Sequence, residues 1–132
     1  MSTFTLTTVD AMIQLGYDLA ATHSKFLLYG DLGAGKTHFT KWVAQQLGIS
    51  PTLVQSPTYV YFHSYESRLL HIDMYRIGSV DDLTLKGILD EIDTHEHIVI
   101  ERPRYVDSYS DTSRCTVHIT IVDTDTRIVE VR

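Results

Sequence analysis

One segment of the 132-residue chain constrains its fold and its chemistry more than any other. Residues Gly30 to Thr37 read Gly-Asp-Leu-Gly-Ala-Gly-Lys-Thr, a full match to the pattern G-x-x-x-x-G-K-T. The segment follows a short apolar run, Lys25 to Tyr29, which is typical of a buried strand, and it precedes residues with helical spacing. A glycine-rich loop between a strand and a helix directs several backbone N–H groups toward one anion. The segment therefore predicts a phosphate-binding loop.

The residue types in this loop predict distinct contacts with a nucleotide. Gly33 and Gly35 allow the tight turn, Lys36 is expected to reach the β- and γ-phosphates, and the Thr37 hydroxyl is a hard oxygen ligand for Mg²⁺. The sequence contains no asparagine, so it lacks the N-K-x-D motif that reads guanine, and this favours ATP over GTP. The predicted nucleotide contacts are Asp31, Leu32, Gly33, Ala34, Gly35, Lys36, Thr37, His38 and Thr58.

Two acidic residues are candidates for the magnesium site. Asp73 and Glu101 each come directly after an apolar run, so each is expected at the end of a buried strand. A P-loop site needs a carboxylate near Mg²⁺, and at least one of the two should supply it. The segment Ser56-Pro-Thr-Tyr59 lies where a loop sensing the γ-phosphate is expected, although a simple turn explains it nearly as well.

The remaining pattern predicts a single α/β domain over residues 1–132, with a mixed β-sheet flanked by helices. We expect one helix from Val9 to Ala20, begun by a capping box at Thr7 and Asp10, and another from Phe39 to Leu47 with Trp42 in the core. A third helix, with Leu83 and Ile88, is expected to begin at Ser79. The predicted strands are Phe4 to Leu6, Lys25 to Tyr29, Tyr59 to Tyr65, Arg68 to Asp73, His97 to Glu101, Cys115 to Ile121 and Arg127 to Arg132.

Composition argues against several classes of function. The net charge is −6 and the eleven Lys and Arg residues are scattered, which disfavours direct binding of nucleic acid. No apolar run is long enough to cross a membrane, and the first residues lack the features of a secretion signal. Cys115 is a lone cysteine and is expected to be a small buried hydrophobe, so we expect a cytoplasmic protein. The histidine spacing does not predict a metal site.

Four segments together resemble the TsaE family, the ATPase component of bacterial threonylcarbamoyladenosine (t6A) synthesis on tRNA. The loop from Gly30 to Thr37 is similar to that family's P-loop, and Ser56-Pro-Thr-Tyr59 resembles its switch-like segment. His71-Ile-Asp-Met-Tyr-Arg76 resembles its H-x-D-x-Y-R motif, and Ile100-Glu-Arg-Pro103 occupies the place of its I-E-W-P motif. The four segments occur in the family's order, and the resemblance covers nearly the whole chain.

The resemblance implies a P-loop NTPase-like three-layer fold, weak hydrolysis of ATP with Mg²⁺, and assembly with TsaB and TsaD, with tRNA contacted indirectly. Lys36 would hold phosphate, and Thr37 and Glu101 would organise Mg²⁺. Asp73 would assist the metal or the attacking water, and Thr58 would sense the γ-phosphate. On this basis the predicted catalytic residues are Asp73, Glu101 and Lys36, and the predicted metal ligands are Thr37, Glu101 and Asp73.

The chain departs from the family pattern at two positions. Arg102 stands where the family usually has tryptophan, and Met12 replaces a small hydroxyl residue near the base. Two other functions are compatible with the same motifs. A small-molecule kinase would use Asp73 as a base toward a substrate hydroxyl. A non-catalytic module would use the nucleotide only to stabilise its fold.

Overall fold

The protein is described by a computed structural model that covers residues 1–30, 35–109 and 114–132. The strands are β1 (Ser2–Leu6), β2 (Lys25–Gly30), β3 (Phe62–Tyr65), β4 (Leu69–Asp73), β5 (His97–Glu101), β6 (Cys115–Ile121) and β7 (Arg127–Val131). The helices are α1 (Val9–Ala20), α2 (Lys36–Gln46), α3 (Val80–Leu85) and α4 (Ile88–Thr94), with single 3₁₀ turns at Pro51–Leu53 and Val106–Ser108.

The described strands form one mixed sheet in the order β1-β7-β6-β2-β5-β4-β3. The four central strands β6, β2, β5 and β4 are parallel to one another, and β3 pairs antiparallel with β4 at one edge. At the other side β7 pairs antiparallel with both β6 and β1. Parallel central strands place their carboxyl ends at one edge, where ligands of open α/β sheets bind.

Helices cover both faces of this sheet, which gives three layers. Alternate residues of a strand point to opposite faces, so Phe26 and Leu28 of β2 pack with helices α1 and α2, whereas Leu27 packs with the layer that contains α3 and α4. Leu83 and Ile88 are fully buried in that second layer. The arrangement confirms the predicted α/β class with a mixed sheet flanked by helices.

The helices α1 and α2 pack closely because α1 has a glycine at the crossing. A Cβ atom added to Gly16 would lie 3.0 Å from the carbonyl oxygen of Phe39 and 3.4 Å from the Cβ of Trp42. Trp42 is only partly buried, so the prediction that it lies in the core is confirmed only in part. The cap of α1 is Thr8, whose hydroxyl accepts from the Ala11 N–H at 3.1 Å, and the predicted cap at Thr7 is wrong by one residue.

Two predicted elements are shorter than expected. The strand predicted from Tyr59 begins only at Phe62, because Tyr61 adopts a left-handed backbone (φ 70°) that interrupts an extended run. The helix predicted after Ser79 is divided into α3 and α4 at Gly87, whose φ of 75° breaks the helical ladder. Ser79 does occupy the cap position, but its side chain makes no capping hydrogen bond.

Cys115 begins β6 and is almost completely buried, as predicted. Burial raises the pKa of its thiol to about 11, so the group remains a neutral apolar side chain near pH 7. Across residues 1–30, 35–109 and 114–132, every helix is too short or too polar to cross a bilayer.

Candidate functional site

Three predicted site segments meet at the carboxyl edge of the parallel strands. Strand β2 ends at Gly30, β4 ends at Asp73 and β5 ends at Glu101. Asp73 is the register partner of Glu101, and Glu101 is also paired with Leu28 of β2. The sheet therefore places Glu101 next to the end of β2, where the glycine-rich loop begins, and Asp73 one strand further away.

The glycine-rich loop leads directly into helix α2. Gly35 is the N-cap residue with φ 108°, a left-handed conformation that favours glycine, and Lys36 is the first helical residue. The Lys36 side chain is buried, and its Nζ donates a hydrogen bond to the carbonyl oxygen of Gly30 across the base of the loop. The predicted contacts Asp31, Leu32, Gly33 and Ala34 lie outside the described residues.

A cleft of about 250 Å³ opens at this point. Lys36, Thr37 and Glu101 all line it, so the structure brings together the predicted phosphate-binding lysine and two predicted metal ligands. An ammonium, a hydroxyl and a carboxylate in one cleft are suited to a phosphate chain with a bound divalent cation. The residues lining the cleft are Gly35, Lys36, Thr37, His38, Ser56, Glu101 and Arg102.

A buried chain of hydrogen bonds holds Glu101 from behind. His71 lies on the neighbouring strand β4 and is completely buried, and its Nε2 donates to the Glu101 carboxylate. The other ring nitrogen, Nδ1, lies 3.1 Å from the hydroxyl of Tyr65. That hydroxyl is also 3.1 Å from both the carbonyl oxygen and the N–H of Gln55. This series of hydrogen bonds thus connects Glu101 to Gln55, the residue immediately before Ser56.

Burial raises the pKa of Tyr65, the hydrogen bond from Gln55 partly opposes this, and the negative charge of Glu101 adds to the increase. The hydroxyl therefore stays protonated near pH 7. Its single hydrogen can be donated to the Gln55 carbonyl oxygen or to Nδ1 of His71, and Nε2 of His71 contacts Glu101. This arrangement fixes one orientation of the carboxylate at the edge of the cleft.

Asp73 lies behind the cleft and is bound from three directions. Its Oδ2 accepts from Arg102 Nη2 and from the Thr58 hydroxyl at 3.0 Å, and its Oδ1 accepts from the N–H of Tyr75 at 2.9 Å. The Asp73 side chain is fully buried, whereas that of Arg102 is 24% exposed. Neither Asp73 nor Thr58 lines the cleft, whereas Arg102, which bonds to both, does line it. The structure thus joins the two predicted residues to each other directly and joins both to Arg102, a residue with no predicted role.

The loop from Ser56 to Tyr59 is tied to this cluster. The Ser56 and Thr58 hydroxyls are 2.7 Å apart, and Thr58 bonds to Asp73. Arg76 donates to the Tyr59 carbonyl at 3.2 Å and its guanidinium lies 4.7 Å from the ring centre of Tyr61. Arg76 therefore holds the loop. The Tyr59 side chain itself is 82% exposed.

A second cleft, of about 230 Å³, lies on the other side of the helix α2 N-terminus and shares Gly35 and His38 with the first. Met12 lines it, as do residues from the turn between β6 and β7, which no motif in the sequence indicated. Only the sheet order reveals this, because β6 pairs with β2 and carries that turn toward the loop. The lining residues are Leu6, Thr7, Thr8, Val9, Met12, Gly35, His38, Thr124, Asp125 and Arg127.

Comparison with known proteins decides the family. The family model described as threonylcarbamoyl adenosine biosynthesis protein TsaE matches residues 6–129. The chain belongs to the TsaE family. Its relatives include the tRNA threonylcarbamoyladenosine biosynthesis protein TsaE of Borreliella burgdorferi, which is 41% identical over 83 residues, covering 60% of this chain and 59% of that protein. The protein of the same name from Haemophilus influenzae is 38% identical over 77 residues, covering 56% of this chain and 48% of the relative.

The matched region spans about half the length of these TsaE proteins. A longer match, to the TsaE protein of Rickettsia typhi, covers 80% of this chain and 75% of the relative at 28% identity. Among solved structures, Bacillus subtilis YdiB superposes with a TM-score of 0.68 over 97% of this chain and 82% of that protein, at 23% identity. This likeness shows that the two proteins share a fold.

Proposed function

We propose that this TsaE-family chain binds ATP with Mg²⁺ in the cleft at the carboxyl edge of the sheet and hydrolyses it slowly. The observation that carries the proposal is the convergence of Lys36, Thr37 and Glu101 on one cleft at the start of helix α2. The helix N-terminus adds backbone N–H groups and a partial positive charge on the same side. These groups fit a phosphate chain and its metal ion.

Each side chain has a separate task in this proposal. Lys36 holds the β- and γ-phosphates, and the Thr37 hydroxyl and Glu101 carboxylate hold Mg²⁺. His71 keeps Glu101 in the orientation that faces the cleft. Bound Mg²⁺ would offset the negative charge that develops on the phosphates during hydrolysis.

Asp73 is proposed to assist the metal or the attacking water, and Thr58 to sense the terminal phosphate. Both are held by Arg102 in the structure, so either task requires the Arg102 contacts to change. The same contacts weigh against the kinase alternative. A base that accepts a proton from a substrate hydroxyl must be within hydrogen-bond reach of it, and Asp73 is covered by a cation.

The second cleft is the proposed position of the adenosine. It shares the lining residues Gly35 and His38 with the phosphate cleft, so a nucleotide whose phosphates contact Lys36 would place its adenosine beside these residues. Met12 supplies a flexible apolar surface for a planar base. Guanine and adenine would differ there in their contacts with Asp125 and Arg127 rather than with a dedicated motif.

Family membership suggests the biological role. We propose that the chain supports t6A modification of tRNA in the cytoplasm together with TsaB and TsaD, and that tRNA is contacted through these partners. The net charge of −6 is consistent with indirect contact. The exposed Tyr59 belongs to the loop that reaches the cleft at Ser56, so a partner bound there could distinguish the loop's states.

Calorimetry with Mg²⁺-ATP and Mg²⁺-GTP, on the intact protein and on Lys36→Ala, tests the proposal. We expect ATP to bind more tightly than GTP and Lys36→Ala to weaken ATP binding by about a hundredfold, because a buried charge-assisted contact is lost. Lys41→Ala is the matched control, since Lys41 lies on the same helix outside the cleft. Hydrolysis should then rise on addition of TsaB and TsaD.

A folded intact protein that binds neither nucleotide would overturn the ATP-binding proposal. Binding of ATP with no response to TsaB and TsaD would leave nucleotide binding in place and remove the proposed partnership. Hydrolysis lost in Glu101→Ala with partner function retained would instead favour a module in which nucleotide only stabilises the fold.

A further inference from the structure

We propose that Arg102 binds the terminal phosphate of ATP and thereby enables the site to distinguish ATP from ADP. This inference rests on the proposed function and assigns a role to a residue that stands where the TsaE family usually has tryptophan. It concerns a positively charged side chain in the same cleft as Lys36, Thr37 and Glu101.

The position of Arg102 is set by its backbone. The residue directly follows β5, and its N–H donates to the carbonyl oxygen of Leu28 in β2 at 3.0 Å. Its φ is 49°, a left-handed conformation that is uncommon for a residue with a side chain. Strained backbone of this kind is concentrated at functional sites. Here it turns the side chain back along the carboxyl edge of the sheet.

The guanidinium of Arg102 has hydrogen-bond partners, but not for all of its N–H donors. Nη2 donates to the Asp73 carboxylate and, at 3.3 Å, to the Thr58 hydroxyl, and the group lies 4.4 Å from the ring centre of Tyr75. Nε is buried and has no hydrogen-bond partner among the described residues. A guanidinium offers five N–H donors in a planar fork, so Arg102 has donors left over for an anion. A buried donor without a partner needs an explanation, and a phosphate oxygen supplies one.

The location selects the terminal phosphate over the others. Lys36 contributes to the cleft from the N-terminus of α2, whereas Arg102 contributes to it from the end of β5, beside the end of β4. The β-phosphate is expected next to Lys36 and the loop. The next phosphate along the nucleotide is the γ-phosphate, which ADP lacks, and Arg102 would contact it together with Lys36.

The same contact would connect nucleotide state to the loop. Arg102 Nη2 bridges Asp73 and Thr58, so a shift of the guanidinium toward phosphate weakens its contacts with both. Thr58 would then be released toward the cleft in the ATP state and held against Asp73 in the ADP state. The Arg102 guanidinium would thus have two positions, one bound to Asp73 and the other bound to the γ-phosphate.

The test compares dissociation constants for a non-hydrolysable ATP analogue and for ADP, each with Mg²⁺, in the intact protein, Arg102→Gln, Arg102→Lys and Arg104→Gln. We expect Arg102→Gln to weaken the ATP analogue about tenfold and ADP less than about twofold, because the charge-assisted contact is made only to the terminal phosphate. Arg102→Lys keeps the positive charge but lacks the planar fork of donors. Its affinity for the ATP analogue should therefore lie between that of the intact protein and that of Arg102→Gln. Arg104→Gln should leave the ratio of the two dissociation constants unchanged, since Arg104 bonds to the Ile77 carbonyl at 3.2 Å and does not line the cleft.

Thermal melting of the unliganded variants shows whether each is folded. If Arg102→Gln is unfolded, the affinities of Arg102→Lys for the two nucleotides are compared with those of the intact protein instead. Equal weakening of both nucleotides, or no weakening of either, in a folded Arg102 variant would overturn the inference. Failure of the intact protein to bind any nucleotide is a different result: it would overturn the proposed function, and the inference with it. Hydrogen exchange of residues 56–61 should also respond more strongly to the ATP analogue than to ADP.

Discussion

His71 Nε2 donates a hydrogen bond to the Glu101 carboxylate between two neighbouring parallel strands, and both side chains are almost fully buried. Glu101 is thereby held by a side chain that never reaches the cleft. Support of this kind orients a metal-binding carboxylate before the metal arrives. The geometry connects the stability of the sheet to the proposed chemistry at its edge.

Replacement of His71 tests this connection. His71→Phe keeps the ring volume but leaves Glu101 and the Tyr65 hydroxyl without their partner, so we expect a loss of roughly 2–4 kcal/mol in the free energy of unfolding. Tyr65→Phe removes one hydroxyl and should cost less, about 1–2 kcal/mol. Urea unfolding of both variants measures the difference. Equal stability of His71→Phe and the intact protein would contradict the assigned hydrogen bond.

Gly16 is predicted to be required for the packing of α1 on α2. Alanine is the better helix former by about 0.5–1 kcal/mol, but its Cβ would lie 3.0 Å from the backbone carbonyl of Phe39, which cannot move aside as a side chain can. We expect Gly16→Ala to destabilise the protein by roughly 1–2 kcal/mol. The control is Gln14→Ala on the exposed face of the same helix. A gain of stability in Gly16→Ala would show that the helices separate at little cost.

Cys115 should be unreactive in the native protein. Its side chain is 1% exposed, so a reagent cannot reach the sulfur. Burial also raises its thiol pKa to about 11, so little of the reactive thiolate forms near pH 8. A thiol reagent such as iodoacetamide should label it only in denaturant, as measured by intact mass. Rapid labelling of the folded protein would show that β6 opens locally.

His63 should make stability depend on pH in a defined direction. Burial, and then the nearby His71, lower the pKa of His63 below its usual 6.5. The unfolded chain therefore binds the proton at a higher pH than the folded protein does, so the His63 contribution to stability is complete above about pH 6.5 and is lost as the pH falls below it. Thermal melting between pH 7.5 and 5 measures this, with His63→Gln expected to have the shallower acid slope. An unchanged slope in that variant would contradict the lowered pKa.

Tyr59 is predicted to matter for partners and not for nucleotide. Its ring is 82% exposed and does not line either cleft, so Tyr59→Ser should leave ATP binding within about twofold. We expect it to reduce the stimulation of hydrolysis by TsaB and TsaD, because exposed aromatic rings are frequent anchors of protein interfaces. Leu85→Ser, at an exposed apolar residue on α3 that lines neither cleft, is the comparison. Full stimulation in Tyr59→Ser would exclude this surface from the interface.

Local sequence patterns were sufficient for the class of fold and for the main elements of the site. The order of apolar runs and helical spacing gave the α/β class, and the G-x-x-x-x-G-K-T pattern located Lys36 and Thr37, because both kinds of signal depend on residues close together in the chain. The positions of Asp73 and Glu101 at strand ends also followed from local pattern. Cys115 was correctly expected to be buried for the same reason.

The tertiary structure decided which of these residues meet and what supports them. The bonds from Arg102 to Asp73 and from His71 to Glu101 join residues about 30 positions apart, and they exist because β4 and β5 are neighbours in the sheet. The turn between β6 and β7 lines the second cleft only because β6 pairs with β2. Strand order depends on how the whole core packs, so no local signal reports it. The sequence thus predicted which side chains could bind a nucleotide, and the sheet order determined their partners.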